Sequence, residues 1–217
     1  GTTTGERNDD GGTKNNYRAS GNVVTTTLTT PVIDKLDPII SATIGQDITY
    51  TIQITLPEGV VYGFSISDTL PSGLAYQSSQ LITTTAGGFL PANYAGTVAI
   101  TSTPSANATG LLTFAFGNIT TTADGITTNN AFVLQVVARV QNVVANQNGV
   151  ALSNTASITY TNTNTGAAVV VTDVTPPSST LIVEPVLNIT KTVNTTTPTS
   201  GSIITFTLTV AHATTST

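Results

Sequence analysis

The chain has 217 residues, a formal net charge of −5 and only six basic residues; 39% of it is hydrophobic and 8% charged. So few cations leave no electrostatic footprint for nucleic acid or an anionic membrane surface. Without cysteine there is neither a disulfide frame nor a thiolate metal site, and the alternating hydrophobic runs exclude a disordered acidic chain.

Residues 1–21 are rich in Gly, Asn and Asp and read as a loop. Glu6, Asp9 and Asp10 are hard oxygen donors of the sort calcium takes, but their spacing fits no defined loop motif, and a solvated loop is the plainer reading. Val23 to Thr30 is a short Thr/Val strand stopped by Pro31, and Val32 to Leu36 is a second, carrying Lys35. Asp47 to Leu56 alternates cleanly: Ile48, Tyr50, Ile52, Ile54 and Leu56 face one way and the intervening Thr and Gln residues the other.

After the turn at Pro57-Glu58-Gly59, Val61 to Leu70 is predicted as a strand with Tyr62, Phe64, Ile66, Asp68 and Leu70 on one face. Further strands are expected at Leu74–Ile82, Thr97–Ser102, Leu111–Gly117 and Ala131–Gln141, with a loop at Gly87–Gly96. Val150 to Tyr160 alternates again, with Val150, Leu152, Ala156, Ile158 and Tyr160 sharing a face with one amide, Asn154. Strands at Ala167–Thr172 and Thr180–Val183 close the series at Pro185. No stretch keeps a helical period, no apolar run reaches the ~18 residues of a membrane span, and many short strands between turn signals predict an all-β sandwich.

The chain repeats itself. Gly45-Gln-Asp-Ile-Thr-Tyr-Thr-Ile-Gln-Ile aligns with Gly201-Ser-Ile-Ile-Thr-Phe-Thr-Leu-Thr-Val, and a lysine, Lys35 or Lys191, stands ten residues before each glycine. Residues 1–31 then read as the tail of a preceding repeat with its linker, 32–184 as one complete repeat, and 185–217 as the opening strands of a following one. That last piece lacks most of a core, so it is expected to be disordered or to dock on a neighbour as an added strand.

Three polar residues break the apolar faces. Asp68 lies among Phe64, Ile66 and Leu70, Asn154 among its aliphatic neighbours, and Lys35 shares parity with Ile33, as Lys191 does with Leu187, Ile189 and Val193. Lysine and aspartate are rarely buried unless paired, and a buried amide without a partner costs about 1–3 kcal/mol. The chemistry that needs such a trio is a spontaneous amide bond between lysine and asparagine. Burial favours the neutral amine as nucleophile. It also favours a protonated aspartic acid that polarises the amide and shuttles protons as ammonia leaves. The other reading is a buried Lys35–Asp68 salt bridge with Asn154 bonded to backbone. The reaction would run once, so the chain is not read as an enzyme, and no cofactor is implied.

Lys35, Ile44–Gly59, Ser67-Asp-Thr-Leu-Pro-Ser-Gly-Leu74 and Ser153-Asn-Thr-Ala-Ser-Ile158, in that order, resemble the fimbrial isopeptide-forming domain and a related tandem repeat of very long bacterial and archaeal surface proteins. The resemblance covers about residues 32–160. It implies an immunoglobulin-like sandwich with Lys35 as nucleophile, Asp68 as catalytic acid and Asn154 as acceptor. Lys191 would belong to an incomplete second site. The expected function is a structural repeat of an extracellular cell-surface stalk, fimbria or filament. Its partners are neighbouring repeats or further copies joined by strand addition, with no nucleic acid and no membrane span in this stretch. No signal peptide opens the sequence, which accords with a mature fragment of an exported protein. The alternative is an adhesin that binds a glycan or protein through loops such as Gly87–Gly96 or Thr120–Asn130, although neither presents an aromatic platform. His212, the single histidine, and Asp124 and Asp173 read as surface, turn and loop residues. Asn107, Asn118, Asn188 and Asn194 each begin an Asn-X-Thr triplet.

Overall fold

The computed structural model describes residues 29–36, 41–84, 93–173 and 178–212. The calcium candidates Glu6, Asp9 and Asp10, residues 23–28 of the strand expected over Val23–Thr30 and most of the loop expected at Gly87–Gly96 lie outside the described residues. Eleven strands build the main body: β1 (Val32–Leu36), β2 (Ser41–Ala42), β3 (Asp47–Thr55), β4 (Gly59–Thr69), β5 (Leu74–Ile82), β6 (Gly96–Thr97), β7 (Leu111–Thr121), β8 (Ala131–Val140), β9 (Ala151–Thr161), β10 (Ala168–Thr172) and β11 (Ser178–Ile182). A single 3-10 turn at Thr127–Asn129 is the one helical element among the described residues.

Two sheets share the core. One has the order β1-β3-β8-β5; the other runs β2-β11-β9-β4-β7-β6, with β10 also paired to β9. Ile48, Tyr50, Ile52 and Ile54 from β3 and Phe132, Leu134 and Val136 from β8 face Phe64 and Ile66 of β4, Phe114 of β7 and Ile158 of β9; all are fully buried. The result is an immunoglobulin-like β-sandwich. Parity places the β3, β4 and β9 residues among these from the sequence, because a strand with one wet face must alternate. Phe132 sits at the aromatic centre, with ring centroids 6.2 Å from Phe64, 5.7 Å from Phe116 and 5.7 Å from Tyr94.

The structure departs from the sequence reading in four places. Tyr62 was expected inside with Phe64, but it is 42% exposed while Val61 is buried. The register of β4 shifts on both partners between residues 61 and 65, and Gly63 takes φ +58° there. Such a bulge inserts an extra residue and reverses the parity upstream of it. The strand expected over Thr97–Ser102 is not continuous. Its ends pair in one register, Thr97 with Thr120 and Ser102 with Ala115, but no ladder joins them. Opposite that gap β7 bends at Gly117, φ +76°. Two-residue β2 was not foreseen; it runs parallel to β11, pairing Ser41 with Leu181 and Ala42 with Ile182. Finally, where disorder was one expectation, residues 187–212 form a hairpin of β12 (Leu187–Val193) and β13 (Phe206–His212).

Phe132→Ala should cost about 3–5 kcal/mol, as expected for emptying a large aromatic site in a sealed core. Urea denaturation should show that loss as a lower midpoint at unchanged slope.

Candidate functional site

Each of the three polar core residues is delivered by a different strand. Lys35 of β1 stands opposite Ile52 of β3, with its side chain turned inward beside Ile33. Asp68 of β4 stands between Leu112 of β7 and Ala156 of β9. Asn154 lies two residues along β9 from Ala156, on the same face, opposite Ser178 of β11. Lysine thus comes from one sheet, and acid and amide from neighbouring strands of the other.

The side chains meet. Lys35 Nζ donates to Asp68 Oδ1 in a salt bridge. Asn154 Nδ2 donates to Asp68 Oδ2 at 3.4 Å. Lys35 is 3% exposed and Asp68 and Asn154 are 0% exposed. Asn154 Oδ1 is buried without a hydrogen-bond partner among the described residues. Asn154 therefore bonds to Asp68 and not, as one sequence reading had it, to backbone. A half-turn of the amide would bring the carbonyl oxygen to the acid instead.

Burial pushes the Asp68 carboxyl above the ordinary carboxylate range; the nearby Lys35 ammonium and the hydrogen bonds from Lys35 and Asn154 pull the other way. The protonated acid that amide chemistry needs is therefore favoured by the site's dryness and opposed by the charged form of its partner. Passing the proton from lysine to aspartate removes both charges at once and leaves a neutral amine beside a neutral acid.

Two contributors were not legible in the sequence. Tyr50 of β3 lies under the amine, with Lys35 Nζ 4.6 Å from the ring centroid. The ring's negative face holds the head of a flexible side chain in place. Tyr50 had been read simply as core, and nothing in the alternation distinguishes it from its aliphatic neighbours. Asp173, read as a loop residue, accepts the Lys35 backbone N–H at 3.1 Å and donates its own N–H to the Ala156 carbonyl at 3.1 Å. It straps β1 to β9 next to the cluster, on the edge where β9 changes partner from β11 to β10. That role depends on which strands become neighbours.

The remaining candidates lie elsewhere. Lys191 is exposed on β12, its Nζ 4.5 Å from the Phe206 ring centroid. His212 is exposed at the end of β13. Asp124 closes its own turn, accepting from the Ile126 N–H at 2.9 Å and from Asn129 Nδ2 at 2.7 Å. Among the described residues no three His, Asp or Glu side chains form a metal-binding group, and no helix is long and apolar enough to cross a membrane.

No protein-family model and no curated protein matches the chain. Solved structures do. BcpA, the major pilin subunit of Bacillus cereus, is 21% identical with a TM-score of 0.45, over 74% of this chain and 42% of that one. A C-terminal fragment of the major pilin GBS80 of Streptococcus agalactiae is 14% identical, TM-score 0.46, over 76% and 58%. The full-length major pilin SpaD from Corynebacterium diphtheriae is 20% identical, TM-score 0.42, over 79% and 39%. The chain thus spans less than two thirds of each.

Lys35→Met tests the electrostatics without any covalent step. With the ammonium gone, the Asp68 carboxyl loses the influences from lysine that lower it and must protonate to stay in the core. A carboxyl raised in the folded state contributes stability below its unfolded value, about 3.9, and that contribution is lost as pH rises through the raised folded value. Urea titrations of Lys35→Met should therefore show stability falling from acid toward neutral pH relative to Lys35→Met/Asp68→Leu. At neutral pH the double variant should be the more stable by about 3 kcal/mol, because it leaves no buried charge unpaired.

Proposed function

We propose that Lys35, Asp68 and Asn154 form an intramolecular isopeptide bond, and that the domain serves as a covalently clasped structural unit of an extracellular, surface-attached fibre or stalk. The observation that carries this reading is the meeting of an amine, a carboxyl and a carboxamide, all sealed from water, at the end of three strands far apart in sequence.

In the proposed reaction the lysine first gives a proton to Asp68. The neutral Nζ attacks Asn154 Cγ, the acid protonates the amide, and the tetrahedral adduct collapses. One C–N bond forms, the Cγ–Nδ2 bond breaks, and ammonia leaves with one proton that Asp68 relays from Nζ, while Asp68 keeps the other and stays neutral. Amine and amide become a secondary amide and ammonia, with no oxidant, metal or cofactor consumed. The product is uncharged, so the cost of holding an ammonium in an apolar core disappears. The step occurs once per molecule, which makes it self-modification and not turnover.

The consequence is mechanical. The bond would tie β1 to β9 and close a loop of more than one hundred residues. By the chain-entropy argument used for disulfides, such a closure stabilises by about 4–5 kcal/mol. More important for a fibre, a pull on the two ends could not extend the segment between Lys35 and Asn154. In a chain without cysteine, an amide gives the covalent staple that a disulfide cannot. Major pilins are among the solved structures the chain is similar to, but the proposal rests on the chemistry of the three side chains.

The intact mass decides it. The folded protein should be lighter than its sequence by one ammonia, with the Lys35 and Asn154 peptides joined after proteolysis, and Lys35→Ala, Asp68→Ala and Asn154→Ala should each restore the full mass. An unmodified wild-type mass would leave a buried salt bridge and overturn the proposal.

A further inference from the structure

The hairpin β12–β13 copies β1–β3 in detail. Lys35 faces Ile52, Ile33 faces Ile54 and Leu36 faces Thr51; in the hairpin Lys191 faces Leu208, Ile189 faces Val210 and Thr192 faces Thr207. The amine sits 4.6 Å from the Tyr50 ring in one pair and 4.5 Å from the Phe206 ring in the other. The glycine that leads into the second strand, Gly45 or Gly201, has φ +87° in both. Only the surroundings differ. Ile52 and Ile54 are fully buried, whereas Leu208 is 63% and Val210 60% exposed, and Ile189 and Phe206 lie open beside them. β13 pairs with β12 and with no other strand among the described residues, whereas β3 receives β8 on its second edge.

We propose that β12–β13 is the opening strand pair of a second domain of this same fold, and that its apolar face is the docking surface for a β4–β11-type strand set that brings an acid and a carboxamide to Lys191. The occupant follows from the copy. In the first domain, the corresponding pair in the same register is covered by β4, β7 and β9 across the core and by β8 along its edge. An isolated two-stranded hairpin is marginal in water, and a contiguous apolar face of this kind marks a contact surface. The covering sheet must therefore offer alternating aliphatic residues along the β13 edge, aromatic and aliphatic side chains over Phe206 and Leu208, and a carboxyl beside the Lys191 amine. The docking stands on register and exposure alone. The claim that Lys191 then forms a second isopeptide bond rests on the reaction proposed for Lys35.

The test supplies such a strand set. Residues 57–184 are appended directly after His212 of the full chain, so that the β4–β11 set follows the hairpin as it follows β1–β3. A second version carries His212→Leu, since Leu56, the residue at that place in the first domain, is buried. The expected result is a second cooperative unfolding transition, slow amide exchange along both edges of β13, and a mass deficit of two ammonias. Phe206→Asp should abolish the second transition and leave the first intact. If the appended segment stays unfolded and protease-sensitive in both versions while residues 32–184 fold, the docking proposal is overturned. If it folds but only the first domain loses ammonia, Lys191 is not a nucleophile. If it folds and neither domain loses ammonia, the covalent reading of Lys35 fails while the docking stands.

Discussion

Everything distinctive about this sandwich follows from placing a lysine inside it. An ammonium in an apolar core is tolerable only beside an anion or as a neutral amine. Lys35 has been given both options by one neighbour: Asp68 can hold the charge as a carboxylate or take the proton as an acid. Asn154 completes the set, bonded to the same carboxyl, its Oδ1 without a hydrogen-bond partner among the described residues. A buried carbonyl oxygen without a donor is costly for a group with a merely structural task. The proposed reaction would relieve both costs, because converting the amide and the amine into one secondary amide removes the buried ammonium and reduces the number of buried polar atoms.

Topology sets which strands the cluster can join. β1 is an edge strand, held on one side by β3 and across the core by contacts to the other sheet. Edge strands are the first to be peeled from a pulled sandwich, since their ladder is one-sided. β9 is central, flanked by β4 on one side and by β10 and β11 on the other. The proposed link from Lys35 to Asn154 would anchor a weak strand to a strong one, and Asp173 already joins the same two strands, accepting the Lys35 N–H with its side chain and donating its own N–H to Ala156.

The sandwich was legible because its long strands keep the alternation of a wet and a dry face, so parity found the inward residues of β3, β8 and β9, although Thr51 and Val133 on the outward parity are buried as well. Parity also brought Asp68 and Asn154 to the interior, and with them the cluster. What could not be read were features set by neighbours. The bulge that turns Tyr62 outward depends on how β4 meets β7 and β9 together. Thr97–Ser102 has the composition of a strand, but its ladder is interrupted where β7 bends. β2 is two residues long and exists only because β11 passes alongside it. Tyr50 and Asp173 look ordinary in sequence; what marks them is proximity to Lys35, which no local pattern encodes.

The two lysine hairpins also separate what is local in the site from what is global. With no second sheet packed on it, the β12–β13 pair already holds Lys191 Nζ over Phe206 at nearly the distance found for Lys35 over Tyr50. The position of the amine is therefore a property of the hairpin: its register, its glycine-led turn and one aromatic ring. Acid and amide belong to the opposite sheet and arrive only when long-range pairing is complete, a step that loop-closure entropy makes late in folding. The nucleophile is thus set in place by local structure, while desolvation, and with it the protonated acid, waits for closure of the core. Such an order would confine the proposed reaction to molecules that have already folded correctly.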